Sequence, residues 1–223
     1  MKKLLCVFLL ICLPCTAYAL PLFDIECAIG GRNISPDGSI GSDDFKSDLG
    51  FDDEWEVMGR LKVGMPLIIP NVYLVASPME FKGSSLDSKF TLNQYDLGLY
   101  YSIPFLHTLT LKMLNVEVGL DARFMDIEAD ISNDSDKEDY TLPMLYLGCQ
   151  FTPGDRFALE GEVWGTSYNK KDVYTLIGRV RVNMVGPLFI TGGYRYDDIN
   201  IREGNLRVKG NFSGLFAELG VKF

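Results

Sequence analysis

The sequence predicts an all-β chain that forms a single up-and-down antiparallel transmembrane β-barrel of ten strands, with eight as the alternative. Three observations carry this expectation. Segments of eight to a dozen residues alternate apolar and polar side chains with period two. The connections between them run short and long in turn, as in outer-membrane barrels. Aromatic residues of the apolar face collect at segment ends, where two membrane interfaces would lie.

Residues 1–19 read as an export leader. MKK is basic, LLCVFLLICLPC is apolar, and Thr16-Ala17-Tyr18-Ala19 supplies the small-x-small pattern ahead of a cut before Leu20. The apolar run is too short to span a bilayer as a helix, and Cys15 follows Pro14 rather than the small residue that lipid attachment needs. The expected division is therefore a signal peptide at 1–19 and a barrel at 20–223. Cleavage removes two lysines and no acids, so the formal charge moves from −9 to −11. Such an acidic chain is a poor partner for nucleic acid. Beyond residue 19 no apolar run reaches the length of a membrane helix, so a membrane-spanning chain must close as a barrel to pair its backbone groups internally.

Each segment has one greasy face. PLFDIECAIGG places Phe23, Ile25, Cys27 and Ile29 together, against Asp24, Glu26, Ala28 and Gly30. WEVMGRLKVGM sets Trp55, Val57, Leu61 and Val63 against Glu56, Met58, Arg60 and Lys62. NVYLVASPMEF is strand-like, but Pro78 interrupts its alternation and leaves its facing open. QYDLGLYY opposes Tyr95, Leu97, Leu99 and Tyr101 to Gln94, Asp96 and Tyr100; LNVEVGLDARF opposes Leu114, Val116, Val118, Leu120 and Phe124 to Glu117, Asp121 and Arg123. PMLYLGCQF, RFALEGEVWG, VYTLIGRVRVNM and LFITGGYRYD continue the pattern, with Gln150, Glu160, Glu162, Arg179, Arg181, Arg195 and Asp197 on the polar side. The last segment sets Leu215, Ala217, Leu219, Val221 and Phe223 against Phe216, Glu218 and Lys222.

PLIIPN, TPGDR and Val185-Gly186-Pro187 are short connections, and IPFLHTLTLKM is somewhat longer. Residues 32–54, 82–89, 130–140, 168–172 and 198–210 are expected to be the long or polar loops on the other side. A soluble β-sandwich would show the same alternation with its faces reversed. Aromatic placement separates the two: Phe23, Tyr101, Phe151, Phe157 and Phe223 fall near the short turns, and Trp55, Phe124, Tyr174, Tyr194 and Tyr196 near the long loops.

With the apolar face outward, a charge network should line the lumen: Glu26, Arg60, Lys62, Asp96, Glu117, Asp121, Arg123, Glu160, Glu162, Arg179, Arg181, Arg195 and Glu218, with Asp24 beside them. A ten-stranded interior is narrow enough for long side chains to bridge. The expectation is a salt-bridged, largely plugged lumen; the alternative is a narrow path for small solutes or ions. Glu160 and Glu162 are not read as an acid–base pair, because alternate residues of any strand face lie about 7 Å apart. The sole histidine, His107, falls at the short-turn end, away from the rim where a barrel hydrolase would need a base, and no GxSxG occurs. No catalytic residue, metal site or cofactor is expected.

DISNDSDKED (130–139) lacks the turn glycine and spacing of a calcium loop and reads as a solvated acidic loop, with weak divalent bridging to lipopolysaccharide phosphates as the alternative. The 32–54 loop carries Asp37, Asp43, Asp44, Asp48, Asp52, Asp53 and Glu54, with room for a short helix capped by Ser42 and stopped by Gly50. Its length makes it the first candidate for a ligand or partner. Cys27 and Cys149, on strands one and six of the ring, are too far apart for a disulfide.

The closing stretch resembles the signal by which outer-membrane barrels are recognised for assembly, carried here by Leu219, Val221 and Phe223. The chain also resembles a family of small outer-membrane proteins with a Gly-Gly pair ending the first strand. The matching pieces are Ala28-Ile29-Gly30-Gly31, Ser35-Pro36-Asp37-Gly38, DLGFDDE (48–54), PLIIPN (66–71) and the strand from Asn115 to Arg123. These motifs are structural. The resemblance implies a barrel in the bacterial outer membrane without an established activity, and transfers no catalytic residue. Its expected partners are outer-membrane lipids, lipopolysaccharide and the barrel assembly machinery, with the protein itself a monomer.

Overall fold

The structure is a computed structural model; it describes residues 23–66, 68–85, 88–103, 110, 113–131, 134–202 and 207–223. The expected leader and His107 lie outside the described residues. The strands are β1 (Asp24–Ile40), β2 (Asp43–Asp44), β3 (Glu54–Gly64), β4 (Asn71–Ala76), β5 (Met79–Lys82), β6 (Lys89–Ser102), β7 (Leu114–Ile131), β8 (Asp134–Gly154), β9 (Phe157–Tyr168), β10 (Lys171–Asn183), β11 (Leu188–Ile201) and β12 (Val208–Lys222). Pairing is antiparallel throughout, and β12 returns to β1 with Glu26 opposite Lys222 and Ile40 opposite Val208. β4 and β5 both lie on β6 and form one stave, while β2 is a short bridge onto the end of β1. The result is a closed ten-strand antiparallel barrel.

Pro78 sits at the junction of β4 and β5 without reversing the faces, because Tyr73, Ser77, Met79 and Phe81 are all buried while Leu74 is exposed. Outward aromatics form two rows: Tyr101, Phe151 and Phe157 near the short turns, and Trp55, Phe124, Tyr174 and Tyr194 farther up. On β7 the stretch 114–124 covers roughly 33 Å of strand at ~3.3 Å per residue. A tilt of about 40° reduces that to a band of roughly 25 Å, the height of a bilayer's hydrocarbon layer.

Above the upper row the strands continue, which corrects the expected loops. β1 runs to Ile40, β7 to Ile131 and β8 begins at Asp134, so most of 130–140 is paired strand and not a solvated loop. The alternation persists there with its chemistry exchanged. On β7, Met125, Ile127 and Ala129 are buried, and Asp126, Glu128 and Asp130 take the outward positions. Phe90 and Leu92 on β6, Ile199 and Ile201 on β11, and Val208 and Phe212 on β12 likewise point inward. Outward polar residues disguised these extensions as loop. Between β9 and β10 only Asn169 and Lys170 turn the chain, both left-handed with φ of 50° and 60°, as a two-residue hairpin turn requires.

Residues 41–53 form no helix. A single turn is capped by Asp44 rather than Ser42: its carboxylate accepts the backbone N–H groups of Lys46 (3.0 Å) and Ser47 (2.9 Å), and Asp48 accepts the Asp44 N–H (2.9 Å). This is the reciprocal logic of a capping box. Gly50 does end the turn, with φ of 68°. Phe45 and Leu49, four residues apart on one side of the turn, are fully buried in the barrel mouth, and Phe51 follows them. A β-carbon at Gly210 would collide with the Phe45 ring, so glycine there makes the seat.

Candidate functional site: the charged lumen

From the short-turn end upward, the interior is built in layers. In the lowest, Glu26 pairs with Arg60 and with Arg181 (2.6 Å), and Arg60 reaches Glu218 at 3.1 Å. Arg181 also contacts Glu160 at 2.8 Å, while Arg179 lies 3.6 Å from Glu160 and pairs with Glu162. Lys62 Nζ stands 2.7 Å from Glu162 and 3.2 Å from Glu117. Alternation on β1, β3, β7, β9, β10 and β12 aims these side chains inward, and hydrogen bonding to opposite charges is what lets them persist out of water.

Next comes an aromatic layer. Tyr73, Tyr100, Tyr146 and Trp164 pack with centroid separations of 5.0 to 6.0 Å. Trp164 Nε1 donates to the Tyr73 hydroxyl at 2.5 Å. Lys62 Nζ lies 5.5 Å from the Tyr100 ring centre and 5.7 Å from that of Tyr146, within cation–π range. Gly98 leaves the space that the Tyr73 ring fills.

A second ionic layer lies above. Arg123 grips Asp96 through two bonds, Nε to Oδ1 at 2.6 Å and Nη2 to Oδ2 at 3.2 Å, and donates through Nη1 to Thr175 at 2.7 Å. Thr175 donates to Asp197 (2.7 Å), which also holds Arg195 (2.9 Å) and Arg32 (2.8 Å). Arg195 continues to Gln94 at 3.0 Å, and Arg32 to the Phe212 carbonyl at 2.6 Å. Asp121 is buried near Asp96 and Tyr73 and forms no salt bridge among the described residues.

The top layer is apolar. Phe45, Phe51, Phe81, Phe90 and Phe212 are buried with centroids 5.6 to 6.5 Å apart, and Phe90 stacks on Phe212 at 5.9 Å and 5°.

All thirteen residues expected in the lumen network point to the interior. They fall into two clusters: Arg123, Asp96 and Arg195 in the upper, with Asp121 near Asp96, and the remainder in the lower. Asp24 sits at the mouth, 3.0 Å from Lys222. Glu160 and Glu162 each hold arginine rather than each other. Sequence reasoning missed Arg32, cut off by a first strand ended at Gly31, and the role of Asp197, although its parity matches that of Arg195. It missed the phenylalanine layer too, because acids outnumber aromatics in 41–53. Cys27 and Cys149 form no disulfide. Cys27 is only 9% exposed on the outward face, between Leu61 and Val221 of the flanking strands. Among the described residues, no group of His, Cys, Asp and Glu is placed to hold a metal ion.

The C-terminal strand makes the closing seam. Phe223 N donates to the Ile25 carbonyl at 2.9 Å and Ile25 N returns a bond to Phe223 at 3.0 Å; Leu219 and Val221 stand opposite Ile29 and Cys27. A cavity of about 360 Å³ opens at this end, bordered by the lower ionic layer.

Closed pairing, an outward apolar band and an enclosed ionic interior define a β-barrel of the transmembrane class. No protein-family model and no curated protein matches the sequence. Among solved structures, the chain is similar to Neisserial surface protein A at 13% identity and TM-score 0.40, covering 90% of this chain and 97% of that one. It is similar to Ail of Yersinia pestis, in a complex with the heparin analogue sucrose octasulfate, at 9% identity and TM-score 0.43, covering 91% and 99%. The CymD monoaromatic hydrocarbon channel gives 9% identity and TM-score 0.38, covering 92% and 70%. The barrel itself rests on the strand pairing above.

Proposed function

We propose that this chain is a non-enzymatic integral protein of the bacterial outer membrane with a structural or surface-interaction role and a closed lumen. One observation carries the reading: the interior holds four successive layers of buried side chains, ionic, aromatic, ionic and apolar, from the lower salt bridges to the Phe45–Phe90–Phe212 cluster. The outward apolar band takes membrane lipid. Short turns face the periplasm, and the extended hairpins stand outside among lipopolysaccharide headgroups. Leu219, Val221 and Phe223 serve as the signal to the barrel assembly machinery, and the barrel works as a monomer.

Conductance in planar bilayers tests this. The intact protein is expected to show no steady openings. Steady ion-selective openings would instead support the alternative, a narrow channel for small solutes or ions. That alternative draws on the open cavity beneath the lower ionic layer.

A further inference from the structure

We propose that the cavity at the short-turn end binds a small aliphatic amine in its ammonium form. Its wall carries five carboxylates, Asp24, Glu26, Glu117, Glu160 and Glu162, and three cations, Lys62, Arg181 and Lys222. Arg60, Arg179 and Glu218 complete the same salt-bridge network from behind. With them included, six carboxylates meet five cations among the described residues, an excess of one negative charge. An uncompensated charge in a narrow, lipid-surrounded interior is costly and attracts a counter-ion.

The surplus is localised. Glu26 has Arg60 and Arg181, Glu160 has Arg179 and Arg181, Glu218 has Arg60, and Asp24 has Lys222. Glu162 has Arg179 and takes the nearer share of Lys62, at 2.7 Å. Among the described residues Glu117 has Lys62 as its one cationic partner, shared with Glu162 and 3.2 Å away, while the same oxygen also accepts the neutral Tyr146 hydroxyl at 2.7 Å. The other oxygen of Glu117 receives only a neutral amide proton, from Asn115 at 3.1 Å. The wall's three cations are each already bound to carboxylate, so an incoming anion meets competition at every one.

Size and lining favour an organic cation over a bare ion. The volume of about 360 Å³ falls within the range of small-molecule pockets. Met65 and Ile69 also border the cavity and offer apolar surface for an alkyl chain. The low-dielectric barrel wall focuses the field of the surplus charge into the opening. The side of the membrane it faces rests on the function proposed above; the binding itself rests only on the cavity.

Calorimetric titration of the detergent-purified barrel with 1,4-diaminobutane tests the proposal, with succinate and magnesium chloride in parallel. The diamine is expected to bind and succinate not to. Glu117→Gln should weaken diamine binding by about tenfold, leaving Lys62 still paired with Glu162. Asn115→Asp, which adds a charge at the same wall, should tighten it several-fold. Equal or better binding of succinate overturns the proposal, as does an affinity unmoved in both variants or no heat from the diamine. Magnesium binding that displaces the diamine marks an inorganic-ion site and overturns it as well. Failure of the barrel reading itself is seen separately, as a chain monodisperse without detergent.

Discussion

The lower and upper parts of this barrel use the same backbone to opposite ends. Below the upper aromatic row, β7 turns Val118, Leu120 and Phe124 outward and encloses Asp121 and Arg123; above it, the same strand encloses Met125 and Ile127 and turns Asp126 and Glu128 outward. The ladder to β6 and β8 continues without a register break. What changes is the medium outside. Lipid selects apolar outward positions and leaves polar groups to satisfy one another inside; water selects the reverse, and the upper barrel closes over an apolar core. One strand can thus belong to an inverted protein along part of its length and to an ordinary β-barrel along the rest.

Substitutions in both parts of the barrel break or sharpen this contrast. Arg123→Leu strands Asp96, which has no other salt bridge among the described residues; breaking such a buried pair should cost about 3–5 kcal/mol in denaturant unfolding. The double variant Arg123→Leu with Asp96→Leu should recover much of the loss. In the upper half, Phe212→Ala empties the centre of the ring cluster and should cost about 3–5 kcal/mol by the same measurement. A comparable cost from truncating the outward Phe124 would argue against two distinct cores.

Charge on the outer face draws the boundary. Leu120, 67% exposed within the band, should lose about 2–4 kcal/mol as Leu120→Arg when unfolding is followed in phospholipid vesicles. Glu128→Arg, on the same face of the same strand above the row, should stay within about 0.5 kcal/mol. Equal effects at the two positions would place the band wrongly.

The smallest effect is expected at Asp44. The backbone N–H groups of Ser47 and Lys46 hold its carboxyl below the ordinary carboxylate value. Its cap is therefore fully present above that ordinary value and is lost as pH falls through the lower folded one. Asp44→Ala should speed amide exchange at Lys46 and Ser47 at neutral pH while leaving the strands protected. If the wild-type turn were equally exposed, the inserted loop would not be held by this cap.

Much of this was legible along the chain. Period-two alternation located the strands and chose the outward face, and all thirteen charged positions assigned to the lumen point there. The exchange of faces was also written in the sequence, in the step from Phe124 to Met125, but it reads as a loop to anyone expecting the apolar set to keep one parity. Phe45 and Leu49 were hidden by neighbouring acids, since composition marks 41–53 as solvated while the spacing of its apolar residues marks it as buried.

Alternation is a local property, fixed by a backbone that sends successive side chains to opposite sides, so the sequence by itself determined where the strands run below the upper aromatic row and which of their faces is the apolar, outward one. Closure is not local. It set Arg32 against Asp197, 165 positions away, and Lys62 against Glu162, 100 positions away. It also brought Phe45 of the first loop onto Phe212 of the last strand. Only the three-dimensional ring decides such pairings, because partners across a lumen are chosen by the height and angle at which each stave joins the barrel, and no periodicity along a single strand records either.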